Sequence, residues 1–493
     1  MRKLYLYGIL IAAHDFSGVD ITSESPKFQN DLTKGAVTSQ LIRFAMPFLL
    51  SMLIQQSYSM ADLIIVSFFA GEASVAGVNN GGQLAFFATA MAIGLSVGGT
   101  ILIGQYFGAK KMEEVRRTAS TMLSTMLIAS VIMAVLFISL GDTFIRALQV
   151  PEESISEARI YLIICMCGLP FIFMYNAISG ILRGMGDSKR PLIIITVGSV
   201  TSAALDLLFV GVFRWDAAGA AIATVAAQAG CVIVSAIYLA RSGFMFDFKP
   251  KSFIIYKDNL KLMLKLGIPA CIAQVAVNLS FLLMLMLVNG YSVSVSAAAG
   301  LAGRFNGFAI MPVIAISNSV SMMAAQNLGA GRDDRALRTM YSGIGISLCI
   351  GIPFFALVML FPHHIMSAMT TVPAVIDAGV IYMRAFAWDY LIVPFCFSFF
   401  GLATGAGHTH ITMINTFITS VALRVPAALL LSRTFDLGLW GVGFAAPVAS
   451  VGATIFLLCY VLSGRWRDAV IHKADKTGSL EKGGFENAAE TID

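Results

Sequence analysis

Two aspartates stand where hydrocarbon should surround them. Asp62 lies in an apolar run covering about residues 42–70, and Asp206 in another covering about 191–213. An ionisable side chain inside such a run is expensive and by default marks function. Asp62 is about eight residues from one end of its run and Asp206 about seven from the corresponding end. At ~1.5 Å per residue both sit ~10–12 Å below the same surface. Ser202 precedes Asp206 by one helical turn on the same face. Thr224, about seven residues into the next run (217–240), falls at the same depth. Two carboxylates in a low dielectric do not both stay ionised without compensation. The chemistry this pattern offers is reversible capture of a proton, or of Na⁺ by oxygen ligands such as hard cations prefer. The competing reading is that each aspartate only hydrogen-bonds a neighbouring helix.

These residues need a scaffold that holds three helices in register. The chain has 493 residues, 57% hydrophobic and only 12% charged, where a soluble domain carries roughly 25% charged residues. Twelve apolar runs are long enough to cross ~30 Å of hydrocarbon. They cover about 42–70, 81–106, 118–140, 158–182, 191–213 and 217–240, then 262–289, 296–326, 337–361, 379–404, 411–432 and 439–463. Spanning segments must be helices or a closed barrel, and the ~10-residue alternating strands of a barrel are absent from the sequence. The expected fold is therefore an all-α polytopic membrane protein.

The second six runs repeat the first. Gln105-Tyr-Phe-Gly-Ala109 returns as Gln326-Asn-Leu-Gly-Ala330, 221 residues later. Arg117, Tyr161, Gly184 and Gly186 return at that spacing as Arg338, Tyr382, Gly405 and Gly407, and Pro47 returns at 222 as Pro269. Repetition in one order at one offset means a duplicated unit, so the twelve spans form two pseudo-symmetric six-helix bundles. The expected organisation is an N-terminal arm (1–40), a first lobe (41–241), a linker (242–260), a second lobe (261–464) and a tail (465–493). Doubled, almost wholly apolar chains are typical of secondary transporters, in which one repeat moves against the other.

Charge sets orientation. With the termini and alternate loops assigned to one side, 26 of the 33 Lys and Arg fall there, against Arg146, Arg159, Arg214 and Arg433 on the other. The positive-inside rule then puts both termini in the cytoplasm of a plasma (inner) membrane. The net charge of +5 is thus a topology signal, and no nucleic-acid partner is expected.

The acid pair is not duplicated. Met284 answers to Asp62, and about Ala427 to Asp206. The second lobe instead carries Arg304, Asp389 and Arg424 within its spans, as candidates for substrate contact or for structure, with an Arg424–Asp389 pair the leading structural reading. Gln274 and Asn278, one turn apart in the seventh span, fit helix–helix bonding or substrate contact. The seven cysteines lie in apolar runs and lack metal-ligand spacing, and the pairs His363-His364 and His408/His410 have no partners at ligand spacing. No metal site beyond Na⁺ at Asp62 and Asp206, no cofactor and no enzymatic activity are expected. Without a nucleotide-binding loop, the energy source reduces to an ion gradient.

Gly180-Ile-Leu-Arg-Gly-Met-Gly-Asp-Ser-Lys-Arg-Pro191, Leu205-Asp206 followed by Gly219-Ala-Ala-Ile-Ala-Thr224, Gly300 to Arg304, and Ala325-Gln-Asn-Leu-Gly-Ala-Gly331 resemble the multidrug and toxic compound extrusion (MATE) family, over about residues 35–465. The resemblance implies a V-shaped pair of bundles, alternating access and export of organic compounds coupled to H⁺ or Na⁺. It implies a cation site at Asp62, Ser202, Asp206 and Thr224, with Ser202 replacing the family's usual Asn. The expected protein is a monomeric antiporter in the lipid bilayer expelling small organic, cationic amphiphiles. The alternative is a flippase, or a dedicated exporter, for a lipid-linked precursor or a single metabolite.

Overall fold

The computed structural model describes residues 30–147, 150–241, 246 and 248–472. The rest of the expected N-terminal arm (1–29), part of the linker (242–245 and 247) and most of the tail (473–493) lie outside the described residues. Among the described residues there is no strand. The chain is a polytopic all-helical membrane protein whose spans form two related lobes.

The first lobe comprises α1 (Val37–Phe69), α2 (Glu72–Gly108), α3 (Met112–Ser139), a short α4 (Gly141–Ala147), α5 (Glu152–Cys167), α6 (Leu169–Gly184), α7 (Lys189–Asp206) and α8 (Asp216–Arg241). The second comprises α9 (Lys257–Asn289), α10 (Val293–Gly329), α11 (Asp333–Leu360), a short α12 (Pro362–Ser367), α13 (Pro373–Ala387), α14 (Asp389–Gly405), α15 (Thr409–Phe417), α16 (Arg424–Leu429) and α17 (Gly438–Leu462). Ten helical stretches are long and apolar enough to cross a bilayer, and α5 with α6 and α13 with α14 bring the count to twelve.

Those two pairs depart from the straight spans expected over 158–182 and 379–404. They bend by 46° at Gly168 and by 44° at Trp388. In the first, Pro170 stands at the start of α6, where its missing N–H sacrifices no helical bond. In the second, Asp389 becomes the first residue of α14. A carboxylate there meets the positive end of the helix dipole.

A second departure concerns the span expected over 191–213. After Asp206 the chain widens into a π-helical stretch, Leu207–Val212. The second lobe repeats this at Leu430–Thr434 and adds another, Ile418–Leu423, just before Arg424. A π turn inserts extra backbone and re-aims the side chains around it, and such turns are frequent at functional sites.

The lobes meet through α1 and α2 on one side and α9 and α10 on the other. One close crossing, α2 on α9, depends on small residues. A Cβ added at Gly94 would lie 2.6 Å from the Cys271 Cα, and one at Gly98 2.4 Å from the Met263 carbonyl oxygen. In a bilayer, where apolar burial drives little helix association, such close approach supplies the packing. The described part of the linker is docked rather than loose: the Ser120 hydroxyl on α3 contacts the carbonyls of Ser252 and Ile254 at 2.6 and 2.8 Å.

Candidate functional site

In the first lobe, three helices deliver side chains to one place. Helix α1 carries Tyr58 and Asp62 one turn apart. Helix α7 carries Ser202 and Asp206 one turn apart, with Asp206 at its last α-helical residue. Helix α8 carries Thr224. Tyr58 is the hub. Ser202 Oγ donates to Tyr58 Oη at 2.9 Å, and Tyr58 Oη lies 2.9 Å from Thr224 Oγ1. With Ser202 as donor, the phenol proton is free to point at Thr224.

The carboxylates complete the cluster. Asp206 is fully buried, and neither of its oxygens has a hydrogen-bond partner. Asp62 buries Oδ1, also unpartnered. Each aspartate is within electrostatic reach of Tyr58, and of the other. Tyr161 and Cys165 of α5, both buried, are likewise within reach of Asp62. The structure thus brings Asp62, Ser202, Asp206 and Thr224 together, and adds Tyr58, Tyr161 and Cys165, which sequence reasoning missed. For Tyr58 a signal existed: a tyrosine four residues before an intramembrane acid shares its helix face.

Unpartnered buried oxygens are rare because each is costly. A group of them in one apolar lobe offers free lone pairs in a place where little else can satisfy them. Two carboxylates, two hydroxyls and a phenol are all-oxygen donors, the chemistry of a proton or a hard monovalent cation. Among the described residues no group of three or more His, Cys, Asp or Glu is placed to hold a metal, so a transition-metal centre is not what the donors resemble.

The second-lobe candidates do not gather in the same way. Asp389 is buried, 4% exposed, with Oδ1 unpartnered. Arg424 is half-buried, with its guanidinium 5.4 Å from the centre of the Phe281 ring and its Nε unpartnered. The two are within electrostatic reach, but they are not among the ion pairs of the described residues. The direct pair expected from the sequence is therefore not formed; Arg424 follows the extra π stretch, which sequence periodicity does not reveal. Arg304 is exposed on α10, and Gln274 and Asn278 are half-buried on α9, with Asn278 Nδ2 unpartnered. Two more polar features went unforeseen: Tyr390 Oη donates to Asn306 Oδ1, and Arg384 is exposed on α13.

The equivalent place in the second lobe shows what the first has gained. At an offset of 222, Ser280 answers to Tyr58 and Arg424 to Ser202. Ser280 Oγ donates to the Ser420 carbonyl at 2.6 Å. One lobe joins these helices by a hydroxyl cluster beside two acids, the other by a serine on a backbone carbonyl.

The MatE family model matches residues 47–208 and again 269–430, two segments separated by the repeat offset. The chain belongs to the MatE family. "Probable multidrug resistance protein YoeA" of Bacillus subtilis (strain 168) is 28% identical over 446 residues, covering 89% of this chain and 96% of that one. "Probable multidrug resistance protein NorM" of Thermotoga maritima is 24% identical, covering 92% and 99%. Among solved structures, one described as the outward-facing conformation of a multidrug resistance MATE family transporter superposes with a TM-score of 0.82 at 23% identity, over 88% of this chain and 98% of that one. A second, from Pyrococcus furiosus, described as having a binding pocket of reversed polarity that suggests a different function, gives 0.81 at 22% identity. MatE members are membrane transporters, and the two-lobed fold is theirs.

Proposed function

We propose that this MatE chain is a secondary active antiporter that exports organic, cationic, amphiphilic compounds in exchange for H⁺ or Na⁺ by alternating access. One observation carries the reading: the unpartnered, buried oxygens of Asp206 (both) and Asp62 (Oδ1) at the Tyr58–Ser202–Thr224 cluster. Two uncompensated anions in a low-dielectric lobe repel each other and are poorly solvated. Capture of a proton or Na⁺ relieves both penalties. Because Tyr58 ties α1 to α7 and α8, capture changes how α1 packs, and an inward ion gradient can thereby drive substrate outward. The named relatives carry the name probable multidrug resistance protein, which supports export of several organic compounds over a dedicated lipid-linked precursor.

The reading extends to setting. The protein works as a monomer in the plasma membrane, with both termini in the cytoplasm and no cofactor besides the coupling ion. The basic loops support this orientation. The test is efflux from proteoliposomes under separately imposed proton and sodium gradients. Asp62→Asn and Asp206→Asn, each incorporated at wild-type level, should abolish gradient-driven efflux. Retained transport by both would remove the proposed coupling site.

A further inference from the structure

The repeated Gln-x-x-Gly-Ala motif has no part in the cation site, yet it makes a symmetric contact between the lobes. Helices α2 and α10 end side by side on the face that carries the basic loops. Gln105 of the first lobe reaches into the second, where its Nε2 donates to the Gly405 carbonyl at 2.9 Å. Gln326 of the second lobe reaches into the first, where its Nε2 donates to the Gly184 carbonyl at 2.9 Å. Both glutamines are fully buried. Gln105 answers to Gln326, and Gly184 to Gly405, at the same offset of 221. The two bonds are one contact made twice across a pseudo-two-fold axis.

The backbones cross where the motif places glycine. A Cβ on Gly108 would lie 1.9 Å from the Gln326 carbonyl oxygen, and one on Gly329 2.0 Å from the Gln105 carbonyl oxygen. No side chain fits either position while the ends stay together. The remaining oxygen of each glutamine is taken by a segment flanking the bundles. Leu32 N–H donates to Gln326 Oε1 at 3.0 Å, and Ile471 N–H to Gln105 Oε1 at 3.4 Å. Arg335 holds the first segment through the carbonyls of Gly35 and Lys34, at 2.7 and 2.9 Å.

We infer that Gln105 and Gln326 are the transport gate on the basic face: a paired latch, fastened by the segments around Leu32 and Ile471, that must release on each cycle. The inference rests on the alternating-access reading above. Buried amides can also hold a lasting helix–helix contact; what marks a gate here is their exchange across the pseudo-two-fold at the seam between the lobes. Amides make the closed state specific while leaving groups that water can satisfy once the lobes part. The glycines let the same surfaces meet without interlocking side chains.

The experiment measures the gate separately from transport. Spin labels at Arg116→Cys and Tyr341→Cys, exposed positions on α3 and α11, report the lobe separation at the basic face by pulsed dipolar spectroscopy. The full chain, with its native cysteines replaced, is studied in lipid nanodiscs. Loss of one amide bond should raise the open-to-closed odds roughly fivefold, and loss of both roughly thirtyfold. The Gln105→Ala/Gln326→Ala pair should therefore add or enlarge a long-distance population. Gly108→Ala should do so by steric wedging, without touching either glutamine side chain. Should the alanine pair not fold, Gln326→Met keeps the length but removes the donor to the Gly184 carbonyl, and should open the face as well. Unchanged distances in folded Gln and Gly variants overturn the latch, whatever their efflux. A shift towards long distances establishes it even where the parent shows no ion-coupled export, an outcome that would count against the transport reading alone.

Discussion

At the scale of single residues, Tyr58 is the most informative group in the first lobe. Its hydroxyl answers Ser202 and Thr224 on two different helices, so its removal strands two hydroxyls at once. Each such loss is worth about 1 kcal/mol. Tyr58→Phe should keep the fold but slow gradient-driven efflux by roughly tenfold, and it should melt at a lower temperature than the parent. Full-rate efflux by Tyr58→Phe would reduce the tyrosine to filler. Ser202→Asn makes a complementary test, because an amide oxygen is a better Na⁺ ligand than a hydroxyl shared with Tyr58. If coupling is read at this cluster, that variant should make efflux respond more strongly to an imposed sodium gradient. An unaltered sodium response would mean that position 202 does not touch the ion.

At the scale of elements, the π stretch after Asp206 is the feature to perturb. Leu207–Val212 carries extra backbone relative to an α-helix, so deleting Leu208 should restore regular winding. The part of the span beyond the deletion would then rotate by about 100° relative to Asp206. We expect such a chain to insert into membranes but to lose efflux. Wild-type efflux would show that the π turn is a packing accommodation only. Helix existence was legible in the sequence because twenty apolar residues can do little else in a bilayer. The duplication was legible through Gln105/Gln326, Gly184/Gly405 and Pro47/Pro269. The meeting of Asp62, Ser202, Asp206 and Thr224 was legible from depth alone, since two spans that run one way and a third that runs back fix their heights. What was hidden depends on azimuth, which hydropathy does not encode. The bends at Gly168 and Trp388, the π stretches and the separation of Arg424 from Asp389 are all of this kind. For Tyr58 the sequence shows only the helix face shared with Asp62; its partners Ser202 and Thr224 stand on other helices.

At the scale of the whole molecule, the contrast between the two ends of α10 decides which way the central space opens. At its C-terminal end Gly329 is jammed against the Gln105 carbonyl. Toward its N-terminal end an added Cβ at Gly300, Gly303 or Gly307 would meet nothing within 4 Å, and Arg304 in the same stretch is exposed. Arg304 lies eleven residues into α10, which begins at Val293, or ~16 Å from that end. An exposed arginine at that depth is tolerable only against water, not against acyl chains. We expect this part of α10 to border water between the lobes, with access from the side opposite the basic face. Gly303→Cys should then react with a membrane-impermeant maleimide added from the side opposite the basic loops, and far more slowly from the basic side. In the Gln105→Ala/Gln326→Ala background, reaction from the basic side should rise as the gate loosens. A thiol at position 303 that reacts from neither side would place this stretch against lipid and leave the chamber without a wall.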